Sequence, residues 1–247
     1  MKITVIGATG QIGSQVVSIL TAAGHEVVGA ARSTGADVLT GEGLDEALAG
    51  ADVLVDVTNS PSFDDDPVMA FFTAESANLV AAAKKADVGH YVALSIVGAD
   101  GLPESGYMRA KVVQEETITA SGLPYTLVRA TQFHEFAEMI VGSLVVDGTI
   151  RVPDARIQPI ATADVAAEVA DAAQATPANG IINIGGPEKM GFAQLARILT
   201  EARGDSTPIV VDPAATYFGT AVGHDSLVTG HGAAIADTTF GDWLAAR

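Results

Sequence analysis

The chain has 247 residues, and its composition of 48% hydrophobic and 17% charged residues excludes a disordered protein. Asp and Glu number 30 and Lys and Arg only 13, so the net charge is −17. This charge repels phosphate backbones and anionic membranes, and we therefore expect neither a nucleic acid nor a membrane as partner. The chain has no cysteine, which excludes disulfides, thiolate metal ligands and thiol nucleophiles.

The sequence does not predict an exported, membrane-spanning or metal-binding protein. Its first residues form a strand pattern, and the most apolar stretch, residues 136–146, contains Glu138 and is too short to cross a bilayer. The five histidines are scattered, and His224 and His231 lack metal-ligand spacing with carboxylates. We expect a soluble, cytoplasmic protein without a metal, as a monomer or a small homo-oligomer.

Short β-branched runs alternate with longer Ala-rich segments of helical period. The predicted strands cover residues 2–6, 26–30, 53–57, 90–94, 125–129 and 181–184, with a weaker one near 37–38. The predicted helices cover residues 12–23, 44–49, 67–85, 108–120, 132–141, 162–175 and 192–203. Such alternation is typical of βαβ units and predicts an α/β fold, a Rossmann-type doubly wound parallel sheet.

The domain organisation follows from where this alternation is regular. It is regular to about residue 130 and less so afterwards, and no linker or low-complexity tract interrupts it. We predict one domain over residues 1–247. Its nucleotide-binding core covers about 1–130, and an inseparable, small C-terminal elaboration over about 131–247 faces the substrate.

A glycine-rich turn, GATGQIG at residues 7–13, lies between the first predicted strand and the first predicted helix. Small residues here let the backbone approach a pyrophosphate, whose charge the helix N-terminus stabilises. The spacing is G-x-x-G-x-x-G, and no G-K-[ST] follows, so a P-loop is excluded. A tight turn without a ligand is the alternative. The residues predicted to bind a cofactor are Gly7, Thr9, Gly10, Gln11, Ile12 and Gly13.

Arg32 follows the second predicted strand, where an NAD site would place an acidic residue. Its guanidinium suits a ribose 2′-phosphate, so we expect NADP as cofactor, with NADPH preferred over NADH. An ordinary surface arginine is the alternative. Thr58 and Asn59 follow the third strand, at the sheet edge where ligands bind, and are either cofactor contacts or helix-capping residues.

Several further motifs carry a family resemblance: LSIVG at residues 94–98, YMRAK at 107–111, GLPYTLVR at 122–129 and QPI at 158–160. Together with the glycine-rich turn, they make the chain resemble the short-chain dehydrogenase/reductase superfamily, in its atypical NmrA-like NAD(P)H-binding branch. The resemblance covers essentially the whole chain. It implies that Tyr107 donates a proton, that Lys111 tunes Tyr107 and holds the nicotinamide ribose, and that Ser95 orients the substrate.

The residues themselves support part of this assignment. Tyr107 and Lys111 are four apart and so share one helix face, where a nearby ammonium would lower the high pKa of a tyrosine. Ser95 ends the preceding strand and could hydrogen-bond the same substrate oxygen. A Tyr-x-x-x-Lys spacing also occurs by chance on helices, and some atypical members bind the nucleotide without catalysis.

The segment after the strand at 125–129 is predicted to flank the nicotinamide and the substrate. Thr131 and Phe133 are cofactor candidates, whereas Phe136 and His134 are substrate candidates, with His134 a possible acid or base. Phe133 and Phe136 suit a flat or apolar substrate, or else form a core stripe. Residues 217–235 are predicted to cover the pocket or to form a surface loop.

These observations predict an NADPH-dependent oxidoreductase that reduces a small-molecule carbonyl compound or quinone. A hydride would come from the nicotinamide and a proton from Tyr107. Two alternatives remain: a non-catalytic NmrA-like NADP-binding redox sensor, and a sugar-nucleotide epimerase, for which the chain is short.

Overall fold

Twelve strands are present in the computed structural model, which describes residues 1–247. They are β1 (Lys2–Ile6), β2 (Glu26–Ala30), β3 (Val53–Asp56), β4 (His90–Ile96), β5 (Tyr125–Ala130), β6 (Val145–Val146), β7 (Thr149–Val152), β8 (Arg156–Ile157), β9 (Gly180–Gly185), β10 (Met190–Gly191), β11 (Ile209–Val211) and β12 (Ala234–Ile235). Seven form one parallel sheet in the order β12-β9-β5-β4-β3-β1-β2. The others form a β11-β7-β6 sheet and a β10-β8 pair.

Eight α-helices connect these strands. They are α1 (Gln11–Ala22), α2 (Leu44–Leu48), α3 (Asp65–Lys85), α4 (Gly106–Thr119), α5 (Ala137–Ser143), α6 (Thr162–Gln174), α7 (Phe192–Arg203) and α8 (Phe240–Ala245). None of them is both long and apolar enough to cross a membrane.

Helices cover both faces of the seven-stranded sheet, as expected for strands that are apolar on both sides. In α1, Ile12, Val16 and Leu20 are four residues apart, so they share one face and pack with residues of α6 on the sheet. The opposite face packs against α2, α3 and α4 through Leu79 and Ile118. The predicted Rossmann-type doubly wound sheet is therefore confirmed.

A separate apolar cluster fills the C-terminal part of the chain. It joins α5, α7 and the β11-β7-β6 sheet, with Phe192, Leu195 and Ile150 at its centre. Most of the cluster lies after β5, where the regular βα alternation ends, and Ala99, Leu102 and Met108 add to it from before β5. Strand β9 joins this part to the central sheet beside β5.

Two sequence predictions differ from the structure. Residues 37–38 form no strand; the Asp37 carboxylate accepts a hydrogen bond from the Leu39 amide, which holds a turn. The helix predicted over 132–141 begins only at Ala137, after a short 3₁₀ turn, because Phe133 is extended and bridges Ile160.

Candidate functional site

A cavity of about 940 Å³ lies at the carboxyl ends of β1, β3, β4 and β5. Parallel strands bring the loops that follow them to this same edge of the sheet, where open α/β sheets bind ligands. Most residues predicted from the sequence as site residues line this cavity: Gly7, Thr9, Gly10, Gln11, Ile12, Arg32, Thr58, Asn59, Ser95, Tyr107, Lys111, Thr131, Phe133 and Phe136.

The glycine-rich turn forms one end of the cavity. Gly7 has a φ of +84°, a conformation that other residues rarely adopt, and its amide donates to the Ala30 carbonyl at 2.9 Å. Gly13 is not a cavity residue: a Cβ there would lie 2.1 Å from the Gly7 carbonyl oxygen, so it keeps α1 against the turn. The predicted contact of Gly13 with a cofactor stays a prediction, and the structure gives this glycine a packing role.

Arg32 opens a 3₁₀ turn directly after β2, beside the glycine-rich turn. Its side chain is 83% exposed, and its Nε lies 3.2 Å from Oδ2 of Asp37, which also lines the cavity. The Arg32 guanidinium is therefore available at the position predicted for a ribose 2′-phosphate, but it already pairs with the Asp37 carboxylate.

Asp56 ends β3 and organises the loop that follows. Its Oδ1 accepts hydrogen bonds from the amide and the hydroxyl of Thr58, at 3.0 and 2.8 Å. The next residue, Asn59, accepts a hydrogen bond from the Tyr107 hydroxyl at 3.2 Å. Thr58 and Asn59 thus form the cavity wall between the glycine-rich turn and Tyr107.

Tyr107 lies in the first turn of α4, which Ser105 caps by accepting a hydrogen bond from the Met108 amide. Its ring packs against Phe63 and Phe72, with centroids 5.4 and 6.1 Å away. Burial raises the pKa of Tyr107 to about 12. The hydroxyl is therefore protonated at neutral pH.

Lys111 does not lower the pKa of Tyr107, contrary to the sequence prediction. Its ammonium donates to the Leu94 carbonyl at 2.9 Å and to the Gln114 side chain, and lies 4.4 Å from the Phe72 ring centre. Burial lowers the pKa of Lys111, and nearby carboxylates oppose that shift. The spacing of four placed both residues on one face, but the lysine bends toward β4.

The sequence analysis missed a buried polar cluster beneath Lys111. Gln114 Nε2 donates to Asp56 Oδ2 at 2.8 Å, and Glu75 lies beside both residues, fully buried. Burial, followed by the charge of Asp56, raises the pKa of Glu75 well above its usual range. The only signal in the sequence was polar residues in otherwise apolar segments.

Ser95 is the next-to-last residue of β4 and is paired in the sheet with Arg129 of β5. Its hydroxyl donates to Oε1 of Glu115, and Arg129 holds both Glu115 oxygens at 2.8 and 2.6 Å. Arg129 also contacts Asp100 at 3.1 Å. The hydroxyl proton of Ser95 is therefore directed away from the cavity, and the sequence analysis had not anticipated the Glu115–Arg129 pair.

Some side chains of the segment after β5 line the cavity, and others are buried in the core. The rings of Phe133 and Phe136 stack with centroids 5.6 Å apart and line the cavity. His134 does not line it: the side chain is fully buried, its ring 5.1 and 5.3 Å from those of Phe240 and Trp243. This corrects the prediction of His134 as a substrate residue, since the 3₁₀ turn points it toward α8.

The cavity wall fits a nicotinamide dinucleotide. The glycine-rich turn gives a backbone approach for a pyrophosphate. Farther along, Thr131 Oγ1 and both amide atoms of Gln132 are buried without a hydrogen-bond partner in the protein, a costly condition that a bound group would relieve. Fold and site together define a Rossmann-type dinucleotide-binding protein.

Sequence comparison agrees with this class. Residues 7–176 match the family described as NAD(P)H-binding, and the chain belongs to that family. It is 31% identical, over 80% of its own length and 73% of the relative's, to (4-alkanoyl-5-oxo-2,5-dihydrofuran-3-yl)methyl phosphate reductase of Streptomyces griseus. It is 30% identical to the Photosystem II assembly factor Ycf39 of Cyanophora paradoxa, over 55% of this chain. That match spans less than half of the assembly factor, 46%.

Structural comparison shows the same fold. MoeE5, solved in complex with UDP-glucose and NAD, superposes with a TM-score of 0.75 at 17% identity, covering 99% of this chain and 96% of MoeE5. The superposition thus supports the Rossmann-type fold, and the match to the NAD(P)H-binding family supports a nicotinamide cofactor. Both agree with the resemblance of the sequence to the atypical, NmrA-like short-chain dehydrogenases/reductases.

Proposed function

We propose that the protein is an NADPH-dependent reductase of a small carbonyl compound or quinone. One observation carries this proposal: a single cavity holds the glycine-rich turn at one end and, at the other, the Tyr107 hydroxyl among aromatic side chains. The relationship to a reductase supports the same class of reaction.

In the proposed reaction, the glycine-rich turn and Arg32 would hold NADPH, which would supply a hydride to the carbonyl carbon. The π electrons of the C=O bond then become a lone pair on oxygen, and Tyr107 donates its hydroxyl proton there to give the alcohol. The Tyr107 phenolate recovers a proton from solvent. Asn59 orients the hydroxyl, and the pKa of about 12 keeps Tyr107 protonated, which suits reduction better than the reverse reaction.

The charges around the cavity support an uncharged substrate. The only cationic side chains lining it are Arg32, which is at the opposite end from Tyr107 and paired with Asp37, and the buried Lys111. Asp65 and Glu104 line the Tyr107 end together with aromatic rings. A phosphate or diphosphate group there would be repelled, so a neutral, apolar or aromatic carbonyl compound fits better.

The preference for NADPH rests on Arg32. A 2′-phosphate would compete with Asp37 for the guanidinium, and its doubly charged oxygens make the stronger bidentate partner. In the same proposal, Thr58, Thr131 and Phe133 are cofactor contacts, because they line the cavity between Arg32 and Tyr107.

A non-catalytic NADP-binding protein is the second candidate. The observations that favour it are the hydrogen bond of Ser95 to Glu115 and those of the Lys111 ammonium to Leu94 and Gln114, together with the likeness to an assembly factor. A sugar-nucleotide epimerase is disfavoured, because the cations near Tyr107 already have partners. The buried Lys111 donates to Leu94 and Gln114, and Arg109 pairs with Asp65 at 2.8 Å, which leaves no cation for a diphosphate.

The test is consumption of NADPH and of NADH by the purified protein with menadione, phenanthrenequinone and para-nitrobenzaldehyde. Tyr107→Phe should lower kcat/KM for the aldehyde by about 100-fold or more. Tyr125→Phe is the matched control, since Tyr125 begins β5 at the opposite edge of the sheet.

Each outcome has a definite meaning. Turnover that persists in Tyr107→Phe would show that Tyr107 is not the proton donor, while the proposal of a reductase would stand. Tight NADPH binding without turnover of any substrate favours the non-catalytic protein. If neither nucleotide binds, the proposed function is wrong.

A further inference from the structure

Three large apolar side chains of the cavity wall are about half exposed to solvent and form an apolar rim. They are Phe63 in the loop between β3 and α3, Met139 in α5 and Phe218 in a turn after β11, with exposed fractions of 46–55%. A fourth exposed residue of the wall, Leu39, lies beside Asp37 at the opposite end of the cavity. Exposed apolar residues are normal when scattered singly, but a group at the mouth of one cavity indicates a surface that binds a ligand.

The apolar rim lies at the Tyr107 end of the cavity. The ring centroid of Phe63 is 5.4 Å from that of Tyr107, and the centroid of Phe218 is 4.8 Å from that of Tyr217. Tyr107, Tyr217 and helix α5, which carries Met139, all pack against the apolar cluster of the C-terminal part. The three rim side chains are therefore near the place where the proposed reaction occurs.

The backbone of Phe218 is strained in a way that an ordinary surface residue does not need. The amides of Tyr217 and Thr220 donate to each other's carbonyl oxygens at 2.8 and 3.0 Å, and between them Phe218 and Gly219 have φ angles of +47° and +80°. Gly, Asn or Asp are usual at the first of these two positions, because a bulky side chain there is costly. The turn holds a phenyl ring at the mouth of the cavity despite this cost, which indicates a function for the ring.

The charges beside the apolar rim select the kind of group that it can bind. Asp65 and Glu104 line this end of the cavity, and Arg109, the cation beside them, already pairs with Asp65 at 2.8 Å. An anionic group would therefore be repelled there. An uncharged aliphatic chain loses no hydrogen bonds and buries apolar surface against the rings, and the flexible thioether of Met139 adapts to its shape.

We propose that the substrate carries an uncharged aliphatic chain, and that Phe63, Met139 and Phe218 bind this chain where it leaves the cavity. The inference rests on the proposed function: Tyr107 would act on the carbonyl group inside the cavity while the chain extends over the apolar rim. The rim residues thereby determine specificity, because a longer chain buries more apolar surface.

The first test compares two aldehydes with the same reacting group, 4-methoxybenzaldehyde and 4-hexyloxybenzaldehyde, which differ by five methylenes. Full burial of one methylene is worth about fourfold in affinity, and a half-exposed rim should give about half of that free energy, or about twofold. With NADPH, kcat/KM should therefore be about 30-fold higher for the hexyloxy compound.

Two rim variants test which residues bind the chain. Met139→Gln and Phe218→Asn should each lower the ratio of kcat/KM for the hexyloxy compound to that for the methoxy compound by about three- to tenfold. Their melting temperatures should stay close to that of the wild type, since Gln favours a helix and Asn adopts a positive φ more readily than Phe. Val211→Thr is the matched control: Val211 is also about half exposed, but it ends β11 outside the cavity, so both values of kcat/KM should stay at wild type.

The second test needs no turnover. Calorimetry measures the affinity of both aldehydes for the protein saturated with NADP⁺, which has no hydride to transfer. The hexyloxy compound should bind about 30-fold more tightly, and each rim variant should lower this ratio by about three- to tenfold. If the wild type shows this binding but reduces neither aldehyde, the proposed function fails while the site for the chain stands.

Two results overturn the inference. One is an affinity and a kcat/KM that do not rise with chain length, or an absence of binding of either aldehyde, which would mean that the apolar rim covers something else, such as a protein or a membrane. The other is a chain-length dependence that both rim variants retain in full, which would place the chain elsewhere in the cavity.

Discussion

At the scale of single residues, the proposed preference for NADPH over NADH depends on the balance between Arg32 and Asp37. The Arg32 guanidinium is exposed and already pairs with Asp37 at 3.2 Å. The binding free energy gained from a 2′-phosphate is therefore only the difference between its interaction with Arg32 and that of Asp37. Exposed ion pairs are weak and screened by salt, which makes Asp37 a displaceable partner.

Arg32→Ala should weaken NADPH binding by about 10-fold and leave NADH binding within twofold, because only NADPH carries the 2′-phosphate. Asp37→Asn should strengthen NADPH binding, since it removes the competing carboxylate. Both dissociation constants are measurable by nucleotide fluorescence titration. Equal losses for the two nucleotides would show that Arg32 contacts a group they share.

The pKa of Tyr107 sets the expected pH dependence of reduction. The proton donor is the protonated form, which exists below the pKa, and burial raises that pKa to about 12. We therefore expect kcat/KM for para-nitrobenzaldehyde to show no basic limb from Tyr107 up to about pH 10.

A pH–rate profile from about pH 6 to pH 10 checks this, with Tyr107→Phe as reference for limbs of other origin. A basic limb near neutral pH, absent in the variant, would mean that the bound cofactor moves the Lys111 ammonium toward Tyr107. Because Lys111 now donates to Leu94 and Gln114, such a movement would have to break both hydrogen bonds.

At the scale of secondary structure, the core of the fold was predictable because each strand is a short apolar run. The sequence places strands at residues 2–6 and 26–30 and a helix at 192–203, and the structure has them at the same positions. Strand ends that depend on pairing with a neighbouring strand differ from the prediction. Strand β4 continues to Ile96, because its pairing with β5 extends to Ala130.

The parts of the site that the backbone forms were predictable from the sequence. The hydrogen-bond and packing partners of the side chains were less predictable. The glycine-rich turn follows from local sequence, whereas the directions of Ser95, Lys111 and His134 depend on Glu115, Leu94 and Phe240, which lie on other elements. Tyr217 carried no motif at all. It lines the cavity because tertiary packing places its turn there, in a segment for which the sequence left both a pocket cover and a surface loop open.

The Glu115–Arg129 pair joins α4 to β5 and should matter for stability. Arg129 is 8% exposed, and its other carboxylate partner, Asp100, has a side chain that is 68% exposed. Glu115→Ala would leave a buried guanidinium with only that solvated partner. We expect the free energy of unfolding to fall by about 3–5 kcal/mol.

Urea denaturation followed by circular dichroism measures this loss. Asp100→Ala is the matched control, and it should cost less than about 1 kcal/mol because its ion pair is exposed at one end. If the free energy of unfolding falls equally in the two variants, Asp100 and Glu115 stabilise Arg129 equally. That result would contradict the expectation from the bidentate hydrogen bonds between Arg129 and Glu115.

At the scale of the whole molecule, the net charge of the chain and the charge of the proposed cofactor have the same sign. The chain carries −17, and the proposed cofactor NADPH is an anion, so the protein as a whole would repel it, whereas in the proposal the glycine-rich turn and Arg32 attract it at short range. Long-range repulsion is screened by salt, whereas contacts within the cavity are screened less.

The association rate of NADPH should therefore rise with ionic strength, opposite to the usual effect for an anion entering a cationic site. Between about 10 mM and 150 mM salt, the screening length falls from about 30 Å to about 8 Å, and we expect the rate to increase by roughly two- to fivefold. Stopped-flow fluorescence measures it. Arg32→Ala should steepen the increase, because it removes the nearest attractive charge. A rate that falls with salt would mean that the local field of the cavity outweighs the charge of the whole chain.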